Sequence, residues 1–180
     1  VTSANCNDLS KINGVSGTVK YDPTTKVLTL QNAVIKSTGE NEGIDSKIGE
    51  LTISVIGTNS ITASGFSALR TDQTHTTIKG GGKLVLSGSE FGLYAMSGGS
   101  VTIENCEIDC DGSFGTNNGN AEVTINNATI TAKGKTFETM RGIQKLTLNG
   151  CAITEPEGAV YDPKLGGIAL NGQLVKDKVV

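Results

Sequence analysis

The chain of 180 residues has no tryptophan, three prolines, two methionines and a single histidine, and aromatic residues make up only 4 % of it. No apolar run approaches the ~18–20 residues that cross a bilayer as a helix. Basic residues number 15 against 18 acidic ones, for a net charge of −3. That balance provides no basic face, so nucleic acid and anionic membrane surfaces are poor partners. His75 sits between threonines with no serine or cysteine nucleophile at a recognisable spacing, so no catalytic triad can be assembled. There is no Cys-x-x-Cys pair and no histidine to accompany one, so no metal motif is present. Gly80-Gly-Gly-Lys83 precedes a strand pattern, not a helix N-terminus, and is no phosphate loop. No cofactor is implied. Long helices are excluded as well, because the apolar residues alternate and do not recur at 3.6.

What the chain has is glycine, 24 in all, roughly twice the usual ~7 %, and a repeat. Val123-Thr-Ile-Asn-Asn-Ala-Thr-Ile130 returns as Leu28-Thr-Leu-Gln-Asn-Ala-Val-Ile35, Val101-Thr-Ile-Glu-Asn-Cys-Glu-Ile108 and Leu146-Thr-Leu-Asn-Gly-Cys-Ala-Ile153. Diverged copies start at Leu51 and Thr76, so the steps between copies are 23, 25, 25, 22 and 23 residues. A near-constant period of this length marks a solenoid. Each repeat carries an apolar-Thr-apolar strand, a second strand of the Ala-Thr-Ile type, and a third signal such as Phe91-Gly-Leu93. The expected fold is all-β: a single-stranded right-handed parallel β-helix of about six coils with three short strands per coil. The handedness follows from the bias of parallel crossovers.

Three aligned positions define the register. Asn32, Asn105, Asn127 and Gly150 fall at the bend between the first two strands, where a left-handed backbone is needed. Thr29, Thr52, Thr77, Thr102, Thr124 and Thr147 form an outward column on the first strand. The four phenylalanines, at 66, 91, 114 and 137, are spaced to stack in one internal aromatic ladder. Residues 1–26, with a hairpin turning at Pro23, are expected to cap the N-terminal end. Residues 27–155 form the coils, and 156–180, with a hairpin at Asn171-Gly172, cap the other end. The chain starts without a signal-like segment or an initiator methionine and ends on apolar residues, as a processed or trimmed fragment would. Cys106 lies too far from both Cys151 and Cys110 in this register to bridge, and Cys6 falls in the cap, so four free thiols are expected.

Two surfaces carry candidate chemistry. Glu107, Asp109 and Asp111 alternate outward along one strand, ~6.5–7 Å apart, facing Lys83 on one neighbouring coil and Lys133 and Lys135 on the other. Such a stripe is ordinarily a solvated face paired with lysines. Its sharper readings are a candidate cation or acidic site, or the carboxylates of a polysaccharide lyase or glycoside hydrolase. The second surface is the outward column of the third strand, read as Asp45, Leu69, Tyr94, Asn117 and Met140. It would be an apolar strip suited to self-association, to another surface protein, or to a sugar ring stacked on Tyr94.

The segments Gly17-Thr-Val-Lys-Tyr-Asp-Pro23 and Lys26-Val-Leu-Thr-Leu-Gln-Asn-Ala33, the Leu-Thr-Ile coils and the closing Val175-Lys-Asp-Lys-Val-Val180 carry a resemblance. Together they resemble β-helical domains of secreted or surface proteins of gut bacteria, usually described as carbohydrate-binding or adhesin-like. The resemblance implies a secreted or cell-surface location and a non-catalytic binding or spacer module that contacts glycans. It brings no catalytic residues with it.

Overall fold

Residues 1–116 and 119–180 are described by a computed structural model. A 3-10 turn (Leu9–Lys11) leads into β1 (Val15–Asp22). The first turn of the solenoid holds β2 (Val27–Ser37), which bends at Asn32, and β3 (Ile44–Ser46). The second holds β4 (Glu50–Ile56), β5 (Thr58–Ala63) and β6 (Ser67–Asp72). The third is β7 (His75–Lys79) and the long β8 (Lys83–Met96), and the fourth is β9 (Ser100–Glu104) and β10 (Glu107–Gly115). The fifth is β11 (Ala121–Asn126), β12 (Thr129–Lys133) and β13 (Met140–Arg141), after which β14 (Ile143–Asn149) lies on β11. A separate antiparallel sheet follows, made of β15 (Val160–Asp162), β16 (Gly167–Leu170) and β17 (Gln173–Leu174).

The strands stack in parallel files, so the chain is an all-β solenoid of about five turns. The first file runs through the front of β2, then β4, β7, β9, β11 and β14. The second runs through the back of β2, β5, the front halves of β8 and β10, and β12. The third is β3, β6, the far halves of β8 and β10, and β13. Period-two alternation sends every second side chain into the axis. One inward row of the first file is Leu28, Ile53, Ile78, Ile103, Ile125 and Leu148. Burying each such side chain fully is worth about 1.5–3 kcal/mol.

The bends behave as the asparagines require. Asn32, Asn105 and Asn127 have φ of 49°, 50° and 46°, and Gly57 and Gly150 take the same left-handed corner at 67° and 68°. The Asn32 side chain accepts the backbone N–H of Thr58 on the next turn at 3.2 Å, which ties two corners together. Both expected hairpins are present. β1 pairs antiparallel with β2, and β16 pairs with β17 around Asn171 and Gly172, both at positive φ, as a type I′ turn demands.

The register differs from the sequence reading in three places. Thr29 stands beside Ser54, while the threonine file starts at Thr52 and runs through Thr77, Thr102, Thr124 and Thr147. In the second file Ile61 pairs with Leu86 and Leu84 with Ile108, each two residues from the register read off the repeats, which sets Ile61 beside Leu84 and Leu84 beside Cys106. A two-residue slip keeps every side chain on its proper face, so hydrophobic alternation cannot detect it. Corner alignment decides instead, since Asn32 must meet Gly57. Finally, Phe114 leaves the aromatic row. Asp111 pairs with Ser87 and Phe114 with Leu93, so three residues in the fourth turn span what six span in the third. The shortened corner drops Phe114 into the main core, in file with Leu93 and Met140.

Candidate functional site

The acidic stripe is assembled by β10, whose alternation points Glu107, Asp109 and Asp111 outward while Ile108 and Cys110 are buried. Each carboxylate is met by a lysine. Lys83, on the neighbouring β8, contacts Glu107 and Asp109 at 2.6 Å each. Lys135 contacts Asp111 at 2.8 Å and also donates to the carbonyl of Gly88 at 3.0 Å. Ser87 adds a hydrogen bond to Asp111 at 2.9 Å. The hydrogen bonds to Asp109 and Glu107 hold the Lys83 ammonium up to about 12. Burial acts to raise the Asp111 carboxyl, but hydrogen bonds from Lys135 and Ser87 outweigh it and leave it below the ordinary range. The surroundings are shallow and open: a depression of about 490 Å³ lies where Lys83 and Glu107 meet Gly82, Asn105 and Asn127. Among the described residues no three His, Cys, Asp or Glu side chains converge as a metal-binding group.

The third-file face is arranged otherwise than expected. Leu69 and Met140 point into the axis, 0 % and 4 % exposed, in an inward row with Ile44, Leu93 and Phe114. The outward row is Asp45, Arg70, Tyr94, Gly115 and Arg141. The apolar strip read as Leu69, Tyr94 and Met140 therefore does not exist as a surface. Asn117 lies outside the described residues. The difference has a simple cause: Ala68 and Leu69 are both fully buried, so strict alternation fails there, and the outward column falls one residue later, at Arg70 and at Arg141. Leu69 and Met140 each stand directly before an arginine, and that was the available signal.

Tyr94 is outward yet only 7 % exposed. It packs edge-on against Phe66 with ring centroids 5.1 Å apart, and against Phe91 at 4.7 Å. Phe66 and Phe91 are 5.3 Å apart. Phe137 reaches Phe91 at 5.6 Å across the fourth turn, whose residue facing Phe91 is the small Ser113. The guanidinium of Arg141 lies 4.8 Å from the centre of the Phe137 ring and pairs with Glu138 at 3.2 Å. Arg70 reaches both Asp45 and Asp72, at 3.8 and 3.9 Å. The face is thus a ledge of two half-buried rings, Phe66 and Phe137, either side of buried Phe91 and Tyr94, bordered by ion-paired arginines. Sequence reasoning missed Phe66, Phe137, Arg70 and Arg141 as surface partners of Tyr94.

The remaining features are structural. His75 is exposed and its ring nitrogen hydrogen-bonds the Ser100 hydroxyl at 2.7 Å. All four cysteines are free. An apolar cavity of about 390 Å³ lies between the N-terminal segment and the first turn, lined by Cys6, Tyr21, Leu28, Ile44, Ile48 and Leu51. No pattern in the sequence pointed to it. No helix among the described residues is long and apolar enough to cross a membrane. Comparison with known protein families, with curated proteins and with solved structures gives no match.

Proposed function

We propose that this solenoid is a non-catalytic binding and spacer module of an exported or surface-attached protein, and that it contacts glycans through its third-file face. The observation that carries the non-catalytic reading is the state of the acidic stripe. A general acid or a cation site needs a carboxylate free to exchange a proton or to ligate. Glu107 and Asp109 share Lys83, and Asp111 is held by Lys135 and Ser87. The secreted or surface location rests on the resemblance in the repeat motifs.

The contact surface is the ledge of Phe66 and Phe137 with Arg70, Arg141, Asp45 and Glu138. Half-buried rings beside paired charges give a sugar both a stacking plane and hydrogen-bonding groups. Tyr94 supports the ledge from beneath. A glycan array probed with the purified chain, and repeated with Phe137→Ala, tests the assignment. The variant is expected to lose roughly five- to tenfold in affinity, the ~1 kcal/mol of one ring contact. Unchanged binding in the variant, or no glycan bound at all, removes the reading. Incubation with uronate polymers, with and without Ca²⁺, is expected to give no cleavage. Cleavage abolished by Asp109→Asn would instead make the stripe an active site.

A further inference from the structure

The first file of strands ends at β14, and among the described residues no strand lies along its outer edge. The other two files are closed at this end. Val179 exchanges backbone hydrogen bonds with Ala132 of β12, both at 2.9 Å. Beside β13 the amide of Thr139 donates to the carbonyl of Val175 at 2.8 Å. At the first residue of β14 the Ile143 amide donates to the carbonyl of Gly166 at 2.8 Å and the Ile143 carbonyl accepts the Tyr161 hydroxyl at 2.9 Å, so the open edge is the part of β14 beyond it.

Two observations mark β14 as unfinished. In its inward row Ile53, Ile78 and Ile103 are 0 % exposed and Ile125 is 6 % exposed, whereas the last member, Leu148, is only half-buried, as is Leu146 beside it. With Cys151, Ile153 and Val180 they line an apolar depression of about 40 Å³ that continues the core to the end of the molecule. The second observation is the backbone. The carbonyl of Asn149 accepts the N–H of Asn127 on β11 at 2.9 Å. Alternation then turns the peptide groups of Lys145, Thr147 and Asn149 towards β11 and those of Leu146 and Leu148 towards the open edge. None of the usual edge protections falls within 145–149: there is no proline and no bulge, and the one charge, Lys145, stands at its end.

We propose that two copies of this chain join through β14, antiparallel, about a twofold axis passing beside Thr147. Lys145-Leu-Thr-Leu-Asn149 reads almost the same in both directions, so the edge is complementary to itself. The twofold sets Leu146 opposite the partner's Leu148, both on the inward face, so the two cores become continuous. These are the residues whose N–H and C=O groups face the edge, and they form the hydrogen-bonded pairs of the new ladder. Thr147 meets the partner's Thr147 at the non-hydrogen-bonded position between them. Lys145 meets the partner's Asn149, so no like charges are opposed. A register one residue away would set inward leucines against outward polar residues. A closed isologous pair is also the commonest oligomer symmetry.

Thr147→Cys tests the register. At the non-hydrogen-bonded position Cα atoms stand about 4.5 Å apart, within disulfide reach. Mild oxidation is expected to give a covalent homodimer, while Thr124→Cys, one turn further in and covered by β14, stays at the wild-type background. Thr147→Lys sets two ammonium groups face to face on an outward position. It is expected to move the chain from dimer to monomer in sedimentation velocity, with the urea midpoint of the monomer retained. A wild-type chain that sediments as a monomer up to high concentration overturns the proposal, whether it then binds strands of other proteins or none. So does cross-linking of Thr147→Cys no faster than that of Thr124→Cys. Neither result bears on the glycan ledge, which lies on a different face.

Discussion

Asn105 holds a backbone that most residues avoid, with φ of 50°. Its side chain is exposed, so the cost of replacing it is conformational and not a matter of packing. Asn105→Ala is expected to lower the unfolding free energy by about 1 kcal/mol, the scale of forcing a Cβ into the left-handed region. Asn105→Gly is expected to remain within a few tenths of wild type. Urea titrations of the two variants check the ordering, and equal losses would show that the corner needs the amide group itself. Lys83 makes a prediction in pH. Hydrogen bonds to Asp109 and Glu107 raise its proton affinity from the ordinary 10.5 to about 12. A cation raised in this way stabilises the fold fully below its ordinary value and gives that contribution up as pH climbs through its folded value. The wild-type urea midpoint is therefore expected to exceed that of Lys83→Met at pH 9 and to converge on it between pH 10.5 and 12. Asp111 runs the other way, because its lowered carboxyl stabilises the fold above its ordinary 3.8 and loses that contribution as pH falls below it.

At the scale of the element, β10 separates what the sequence displays from what it hides. Its alternation of acid and apolar residue shows which side chains face water, and the structure agrees at Glu107, Ile108, Asp109, Cys110 and Asp111. The corner after it is invisible in the spacing of the phenylalanines, although its three lost residues shorten the repeat step from 25 in the third turn to 22 in the fourth. That is why Phe114 reads as one of four equivalent rings when it is a core residue among aliphatics. Phe114→Ala is expected to cost about 3–5 kcal/mol as a buried large-to-small change. Phe66→Ala, at a half-buried ring outside the main core, is expected to cost clearly less. Thermal or urea unfolding of the pair decides it, and equal costs would restore the single ladder. The candidate ledge was less legible than the fold for a related reason. Parity along Ala68-Leu69-Arg70 is a one-residue question, and short third strands offer too few alternations to fix it. Only the stacked neighbours Leu93 and Phe114 show that Leu69 belongs inside.

Across the whole molecule each turn pairs its strands only with the turns above and below it, so protection from solvent should follow position along the axis. Hydrogen exchange is expected to be slowest at Ile78 and Ile103, in the middle of the first file, and faster at Leu146 and Leu148 whenever the chain is dilute enough to be monomeric. Thiol chemistry should follow the same map. Desolvation pushes the Cys110 thiol up to about 12 and that of Cys106 up to about 11. Alkylation at pH 8 in the native state is expected to spare both and to modify them only after unfolding, as mass spectrometry of quenched samples can follow. Early labelling of Cys110 would show that the fourth turn opens on its own.

Stacking also sets how the chain bears tension. The N-terminal segment lies against β1 and β2, and Val179 lies on β12 at the far end of the stack. Successive strands are about 4.8 Å apart, so the two attachment points are held roughly 20–25 Å from each other. A pull between them acts along the inter-strand hydrogen bonds themselves. It loads one ladder at a time, in the manner of a zipper, without shearing many in concert. Such a stack is expected to pay out length at low force, one turn after another, when stretched.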